Sequence, residues 1–426
     1  MIGLTILGAV FICYALVAAR LDRWSVTAPM VFVFAGTALG LWAPQWLGVL
    51  SDPEIVKHIA ELTLALILFA DASTLRWAKV RHEGSLPLRL LLIGFPLTVV
   101  AGFGVGVWLI PVTGWATAAL AASMLAPTDA ALGLGVFTNR SVPGRIRRAL
   151  NVESGLNDGM ATPLVTLFLA VLVAAGTSGT DSWETGAIRE LAIAVVVAVL
   201  VGGGSGRLLA AAHRRNWTSA LSQRLAVLAS ALLSYAGSVT VGGNGFVAAF
   251  AGGLVFAAVS RGQLRESVEF TEDLGLFASF LVWAIFGGLL VAPQLGGGIS
   301  GRAILYAVLA LTVIRMVPVA VSLIGTGLRA ATVLFMGWFG PRGLASVVFV
   351  LIAYTTLEHE GLVSEPVVEV ATWTVLLSVL AHGLTAGPLS RWYGQRVAGE
   401  STEHAVVDMG PVGSVPRAIS VDRSDG

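Results

Sequence analysis

Charge is what this chain has least of. Only 12% of its 426 residues are Asp, Glu, Lys or Arg, about half the share usual in a soluble domain, so water is not the solvent for most of its surface. A single cysteine, Cys13, excludes an internal disulfide and any metal site built from several thiolates. The six histidines are scattered and never form HExxH, so the sequence holds no zinc-hydrolase helix of that kind. A net charge of +1 points to neither nucleic acid nor an acidic partner. No stretch has the composition of a soluble domain, and nothing calls for a cofactor.

What remains is apolar. Hydrophobic residues make up 56% of the chain and fall in blocks of roughly 18 to 25, the length that crosses a bilayer core about 30 Å thick. This pattern predicts an all-α polytopic membrane protein with about thirteen transmembrane helices. They lie near 2–19, 26–43, 55–75, 87–109, 113–137, 149–175, 188–211, 222–240, 243–258, 271–290, 301–324, 331–354 and 366–390. The opening MIGLTILGAVFICYALVAAR lacks a basic leader and continues through a short RLDR turn into a second apolar block, so it reads as a first span rather than a signal peptide. Residues 1–396 are expected to form the transmembrane part. The polar stretch 397–426, ending in SVPRAISVDRSDG, is expected to be a disordered cytoplasmic tail.

Loop charges orient the spans. Arg20 and Arg23, then Arg76, Lys79, Arg81 and Arg89, then Arg140, Arg145, Arg147 and Arg148, then Arg207, Arg214, Arg215 and Arg224 follow the odd-numbered spans. Arg261, Arg265, Arg329, Arg391 and Arg396 continue the alternation, while the intervening loops hold only Lys57, Arg189 and Arg302. The positive-inside rule then puts the N-terminus outside and the C-terminus in the cytoplasm, in an integral, multi-pass protein of the plasma membrane (a bacterial inner membrane). An odd count also lets six spans, a linker span and six more form inverted repeats, a common transporter plan. Spans 5 and 12 would correspond, and both carry helix breakers: Pro127 in APTDAALGLG and Pro341 in FGPRGLAS. Paired interruptions of this kind point to a binding site near the bilayer midplane.

Ionisable groups inside spans are costly and are functional candidates by default. Asp129 and Asp158 are expected about 12 and 14 Å from the near ends of their spans at the helical rise. Two acids at matching depth suit a monovalent cation or a proton, although they could instead pair with Arg315 and Arg342 and join helices. Glu153 and Asp158 lie on different faces of one helix, so Glu153 can meet an arginine, with Arg315 the preferred structural partner, while Asp158 looks into a cavity. Ser154 and Asn157 offer neutral oxygens, and Thr128 can offer a carbonyl where Pro127 breaks the helix. Such hard oxygen donors suit an alkali ion. Asp71, near the end of span 3, reads as interfacial with a possible water-mediated role, and Glu61 as a packing or vestibule group. The twelve tryptophans read as interface anchors and core.

The segments APTDAALG, NVESGLNDG, NGFVAAFAGGLVF, VIRMVPVAV and FGPRGLASVVF, in that order, resemble the monovalent cation:proton antiporter superfamily, in its NhaP-like and sodium–proton exchanger branch. The resemblance implies a homodimer in which a core part moves against a dimerisation part. It also implies that Asp158 binds cation and proton in turn, with Thr128, Asp129, Ser154 and Asn157 completing the site. Glu153 would pair with Arg315, and Arg342 would stand at the second helix break. The Asn157–Asp158 pair resembles the electroneutral branch. Ala130 and Ala131 depart from the Pro and Val common there.

The expected activity is therefore exchange of Na+ (or Li+ or K+) for H+, by competition at one carboxylate. A carboxylate in water titrates near pH 3.9, and burial in a low-dielectric core favours its neutral form, so a membrane site can carry protons without histidine. The first alternative is K+/H+ exchange. A cation channel or uniporter using the same acids would need a repeated filter loop that the sequence lacks. An intramembrane enzyme with Ser154 as nucleophile would need a paired histidine, for which only His382 lies well inside a span.

Overall fold

The computed structural model describes residues 2–75, 85–110, 114–129, 132, 136, 139, 141–176, 183–362 and 364–400. Among these the chain is helical and contains no strand. Its helices are α1 Ile2–Arg23, α2 Ala28–Trp42, α3 Pro53–Thr74, α4 Ser85–Leu109, α5 Gly114–Leu125, α6 Gly144–Gly176 and α7 Trp183–Arg214. There follow α8 Ala220–Thr240, α9 Gly245–Ser260, α10 Arg265–Gly297, α11 Gly301–Ser322, α12 Ala330–Trp338, α13 Leu344–His359 and α14 Glu365–Glu400. Seven of the described helices (α1, α4, α6, α7, α10, α11 and α14) are long and apolar enough to cross a membrane. The chain is an integral multi-pass membrane protein.

Helix starts follow side-chain caps. Asp52 accepts from the N–H groups of Glu54 and Ile55, Ser219 from Ser222, Asn244 from Val247 and Ser300 from Ala303; each satisfies a donor that the first turn leaves unpaired. The Asn244 cap separates α8 from α9 across the weakly polar GSVTVGGNG.

Several helices outrun the apolar stretches that announce them. α6 begins at Gly144 rather than 149, α10 at Arg265 rather than 271, and α14 reaches Glu400 rather than 390. Hydropathy marks only the part of a helix that lipid or core surrounds, and the flanking GRIRRA and RESVEF carry Arg and Glu, charged residues that favour a helix. As a result Glu153 sits more than two turns inside its helix, not near its start. The expected span 113–137 also stops early: α5 ends at Leu125 and residues 126–129 are non-helical. The tail 401–426 lies outside the described residues, as do Ala130, Ala131, Arg76, Lys79, Arg81 and Arg140.

Between helices in lipid there is no bulk hydrophobic driving force, so contact rests on close packing of small residues. α2 meets α10 where Gly36 lies against the Ala284 carbonyl and Gly287 against the Val33 carbonyl. α9 meets α3 where Gly253 lies against the Phe69 carbonyl, and α7 meets α9 at Gly202 and Gly252. α13 is buried along most of its length, whereas α1 and α7 expose leucine and valine side chains to the surroundings, Leu16 at 79%.

A Cβ at Gly36 or Gly253 would overlap a backbone carbonyl, while one at Gly104 would meet nothing within 4 Å. Gly36→Val and Gly253→Val should each cost about 1–3 kcal/mol or more from overpacking, read as a lower melting temperature of the detergent-solubilised protein. Gly104→Val should melt like the parent. Equal melting of all three variants would contradict the packing described.

Candidate functional site

α5 ends where Pro127 removes a backbone donor and disfavours helical geometry at Ala126. α12 ends at Trp338 and α13 resumes at Leu344, across Phe339–Gly343 with Pro341 at the centre. The two unwound segments cross, and each supplies what the other lacks. Asp129 N–H donates to the Pro341 carbonyl at 2.8 Å, and Asp129 Oδ2 accepts the Leu344 N–H at 2.8 Å. Arg342 Nη1 donates to the Ala126 carbonyl at 2.5 Å and to the Pro127 carbonyl at 3.2 Å. An acid thus stands at the positive, N-terminal end of α13 and an arginine at the negative, C-terminal end of α5, the favourable sign at both helix dipoles.

Two glycines make this crossing possible, and neither stood out in the sequence. A Cβ on Gly343 would occupy the place of the Asp129 carboxylate, and one on Gly340 would overlap the Arg315 guanidinium. Both flank Pro341, where glycine is easily taken for flexibility alone. The signal that could have exposed them is their position on either side of the breaker in FGPRG.

α6 packs its polar face against this crossing. Asn157 Oδ1 accepts the Thr128 N–H at 3.3 Å, Asn157 Nδ2 donates to Thr128 Oγ1 at 2.7 Å, and Thr128 Oγ1 lies 3.0 Å from Ser154 Oγ. Thr128, Ser154 and Asn157 are all buried. Asp158 follows Ser154 and Asn157 on α6 and is half-buried. Its Oδ1 is shut off from solvent and has no hydrogen-bond partner among the described residues. Asp129 and Asp71 are both near enough to act on its charge. Asp71 sits near the end of α3, half-buried, within electrostatic reach of Asp129 and Glu272. The structure therefore gathers Thr128, Asp129, Ser154, Asn157 and Asp158 at one place, with Asp71 beside it. Glu61 is elsewhere, hydrogen-bonded to Tyr235. Among the described residues no three His, Cys, Asp or Glu side chains converge as a metal cluster. The donors at the crossing are carboxylates and neutral oxygens.

Glu153, on another face of α6, is engaged differently. Arg315 Nη1 and Nη2 donate to Glu153 Oε1 and Oε2 at 2.5 and 2.9 Å, a bidentate pair with both side chains buried. α11 is interrupted at Thr312, with φ −112° and ψ −91°, one turn before Arg315. The pair ties α11 to α6. Removing either member leaves a buried charge uncompensated, at about 3–5 kcal/mol. Glu153→Ala and Arg315→Ala should therefore each lower the yield and melting temperature of folded protein, and a Glu153→Gln, Arg315→Met double variant should recover part of the loss. Single variants as heat-stable as the parent would refute a structural role for the pair.

Comparison with known proteins agrees with this architecture. Residues 7–392 match the family described as sodium/hydrogen exchanger, transmembrane. The chain is 25% identical over 94% of its length to the K(+)/H(+) antiporter NhaP of Alkalimonas amylolytica, covering 68% of that protein. It is 26% identical over 78% of its length to the Na(+)/H(+) antiporter ApNhaP of Aphanothece halophytica, covering 64% of that protein. The solved structure of the sodium proton antiporter MjNhaP1 from Methanocaldococcus jannaschii superposes with a TM-score of 0.73 at 21% identity, over 92% of this chain and 99% of that one. A match that runs through nearly the whole described chain, both helix breaks and the acid-bearing helix included, makes the chain a member of the transmembrane sodium/hydrogen exchanger family.

Proposed function

We propose that the chain is a secondary antiporter exchanging a monovalent cation, Na+ foremost, for H+ by competition at Asp158. The observation that carries this reading is the contrast between Asp158 and its neighbours. The carboxylates of Asp129 and Glu153 and the side chains of Thr128 and Asn157 have hydrogen-bond partners, whereas the buried carboxylate oxygen Asp158 Oδ1 has none among the described residues. A buried, unpaired carboxylate oxygen is costly, and a bound cation or an added proton relieves that cost. Both cannot occupy it together. If only a neutralised site crosses between the two faces, exchange is obligatory. Thr128, Ser154, Asn157 and Asp129 would complete the donor set, with Asp71 acting through water. Glu153–Arg315 would be structural, and Pro127, Pro341 and Arg342 would hold the crossing and its gating motion.

The same reading includes thirteen spans with the N-terminus outside, inverted six-helix repeats, a homodimer and a cytoplasmic tail from 397. The packing supports the repeat. Span 2 meets span 10 through Gly36, and span 9, the equivalent of span 2, meets span 3, the equivalent of span 10, through Gly253. The relatives are named for both Na+ and K+, so K+/H+ exchange is the alternative within this reading. A cation channel or uniporter is the alternative outside it; there, proteoliposome flux would not require a proton counter-gradient.

Asp158→Asn should reduce cation-driven proton flux in proteoliposomes to the level of empty vesicles while the variant still purifies as a folded membrane protein. Flux near that of the parent would overturn the assignment.

Asn157 stands where a second acid would make a two-proton exchanger, so we infer one proton per monovalent cation. Such exchange moves no net charge, and its rate should be the same in vesicles held at different diffusion potentials. If Asp129 also carried a proton, each cycle would move one charge, worth about 2.3 kcal/mol per 100 mV. A clear voltage dependence would then show that Asp129 titrates during the cycle.

A further inference from the structure

The second helix break is held by a helix that supplies none of the proposed ion donors. α14 passes it with Ser378 and His382, one turn apart on the same face and both buried. Ser378 Oγ accepts the Arg342 N–H at 2.6 Å and lies 3.2 Å from His382 Nδ1. His382 Nε2 lies 2.8 Å from the carbonyl of Trp338, the last residue of α12. That carbonyl also accepts the Gly340 N–H at 2.8 Å, so the histidine meets its second lone pair. A polar chain on α14 therefore runs from one side of the unwound segment to the other. The His382 ring also packs on the Trp338 indole, centroids 5.0 Å apart, and Trp338 Nε1 donates to Thr385 Oγ1 at 3.0 Å.

One neutral tautomer gives both ring nitrogens a hydrogen bond, with Nδ1 also lying 3.0 Å from the Ser378 carbonyl. Ser378 Oγ already accepts from Arg342, so its own proton is free to go to His382 Nδ1, and Nε2 then carries the hydrogen given to Trp338. The other neutral tautomer would donate from Nδ1 to the Ser378 carbonyl, 3.0 Å away, and leave the bare Nε2 facing the Trp338 carbonyl as two acceptors. An imidazolium could donate at both nitrogens, but it would place a third cation within electrostatic reach of Arg342 and Arg315. Neutral His382 with its hydrogen on Nε2 is the form that fits the site.

We propose that Ser378 and His382 are positioning residues: a clamp on α14 that fixes the segment from Trp338 to Arg342 so that Pro341 and Leu344 meet Asp129 and Arg342 meets Ala126. They act on the ion site through the break and touch no ion. The inference rests on the crossing being the exchange site.

The test uses the full chain in proteoliposomes, with proton flux titrated against Na+ and K+ for the parent, His382→Leu, His382→Gln and Ser378→Ala. His382→Leu should raise the half-saturating cation concentration about tenfold, equivalent to about 1.4 kcal/mol. His382→Gln, whose amide can accept from Ser378 and donate to the Trp338 carbonyl, should recover most of that loss. Ser378→Ala should fall between Leu and the parent. Histidine-selective 15N NMR of the parent should show a neutral ring protonated at Nε2, in a signal that the Gln variant lacks. Parental half-saturation and rate per folded molecule in both His382→Leu and Ser378→Ala would overturn the clamp, as would a charged ring at His382. If His382→Leu does not fold, Ser378→Ala and His382→Gln decide the matter: a parental Ser378→Ala overturns it, and a weakened Ser378→Ala beside a near-parental His382→Gln supports it. A parent with no cation-dependent proton flux would instead defeat the antiport reading and leave the NMR signal to judge the clamp.

Discussion

Unwound backbone inside a membrane protein must find partners within the protein, because lipid supplies none. Among the described residues two unwound segments, after α5 and after α12, cross each other, and they survive because they meet. The carbonyls that α5 leaves unpaired at Ala126 and Pro127 go to Arg342, and the N–H that opens α13 at Leu344 goes to Asp129. Each of these side chains belongs to the opposite break. The arrangement cannot be half built, since removing one segment strands the ends of the other.

This mutual capping explains why so much charge can sit in an apolar interior. Arg342 and Asp129 answer partial charges at helix ends, and Glu153 and Arg315 answer each other. Thr128, Ser154 and Asn157 form a closed network of neutral groups. Against that background one buried carboxylate oxygen of Asp158 is left without a partner among the described residues. The glycines serve the same end. Gly340 and Gly343 let a guanidinium and a carboxylate approach the backbone, and Gly36 and Gly253 let whole helices do so.

The membrane class was legible in the sequence because the bilayer imposes a length on apolar segments and a cost on charges within them. Pro127 and Pro341 marked the breaks for an equally local reason, the missing donor. Asp158, Asp129, Glu153 and Arg315 drew notice simply by being ionisable inside spans. Helix ends were less legible: arginine-rich GRIRRA continues α6 although its hydropathy does not mark it, so Glu153 lies well inside its helix. Ser378 and His382 gave no signal of a role at the break, because a serine and a histidine one turn apart have meaning only beside the backbone they face.

By itself, then, the sequence determined that the chain is helical and membrane-spanning, where two of its helices break and which charges need an explanation, since each of these follows from the local chemistry of a residue and its solvent. The Glu153–Arg315 pair is already expected from the sequence and its resemblance, and it is present in the structure. Tertiary structure alone decided that Asp129 caps α13 and that Arg342 answers the end of α5. Spacing on α6 puts Glu153 and Asp158 on different faces, and the placement of α11 brings Arg315 to the first, but only the crossing of the unwound segments gives Asp129 a helix end to cap. Partnership depends on distances between segments far apart in the chain, and no local pattern encodes those distances.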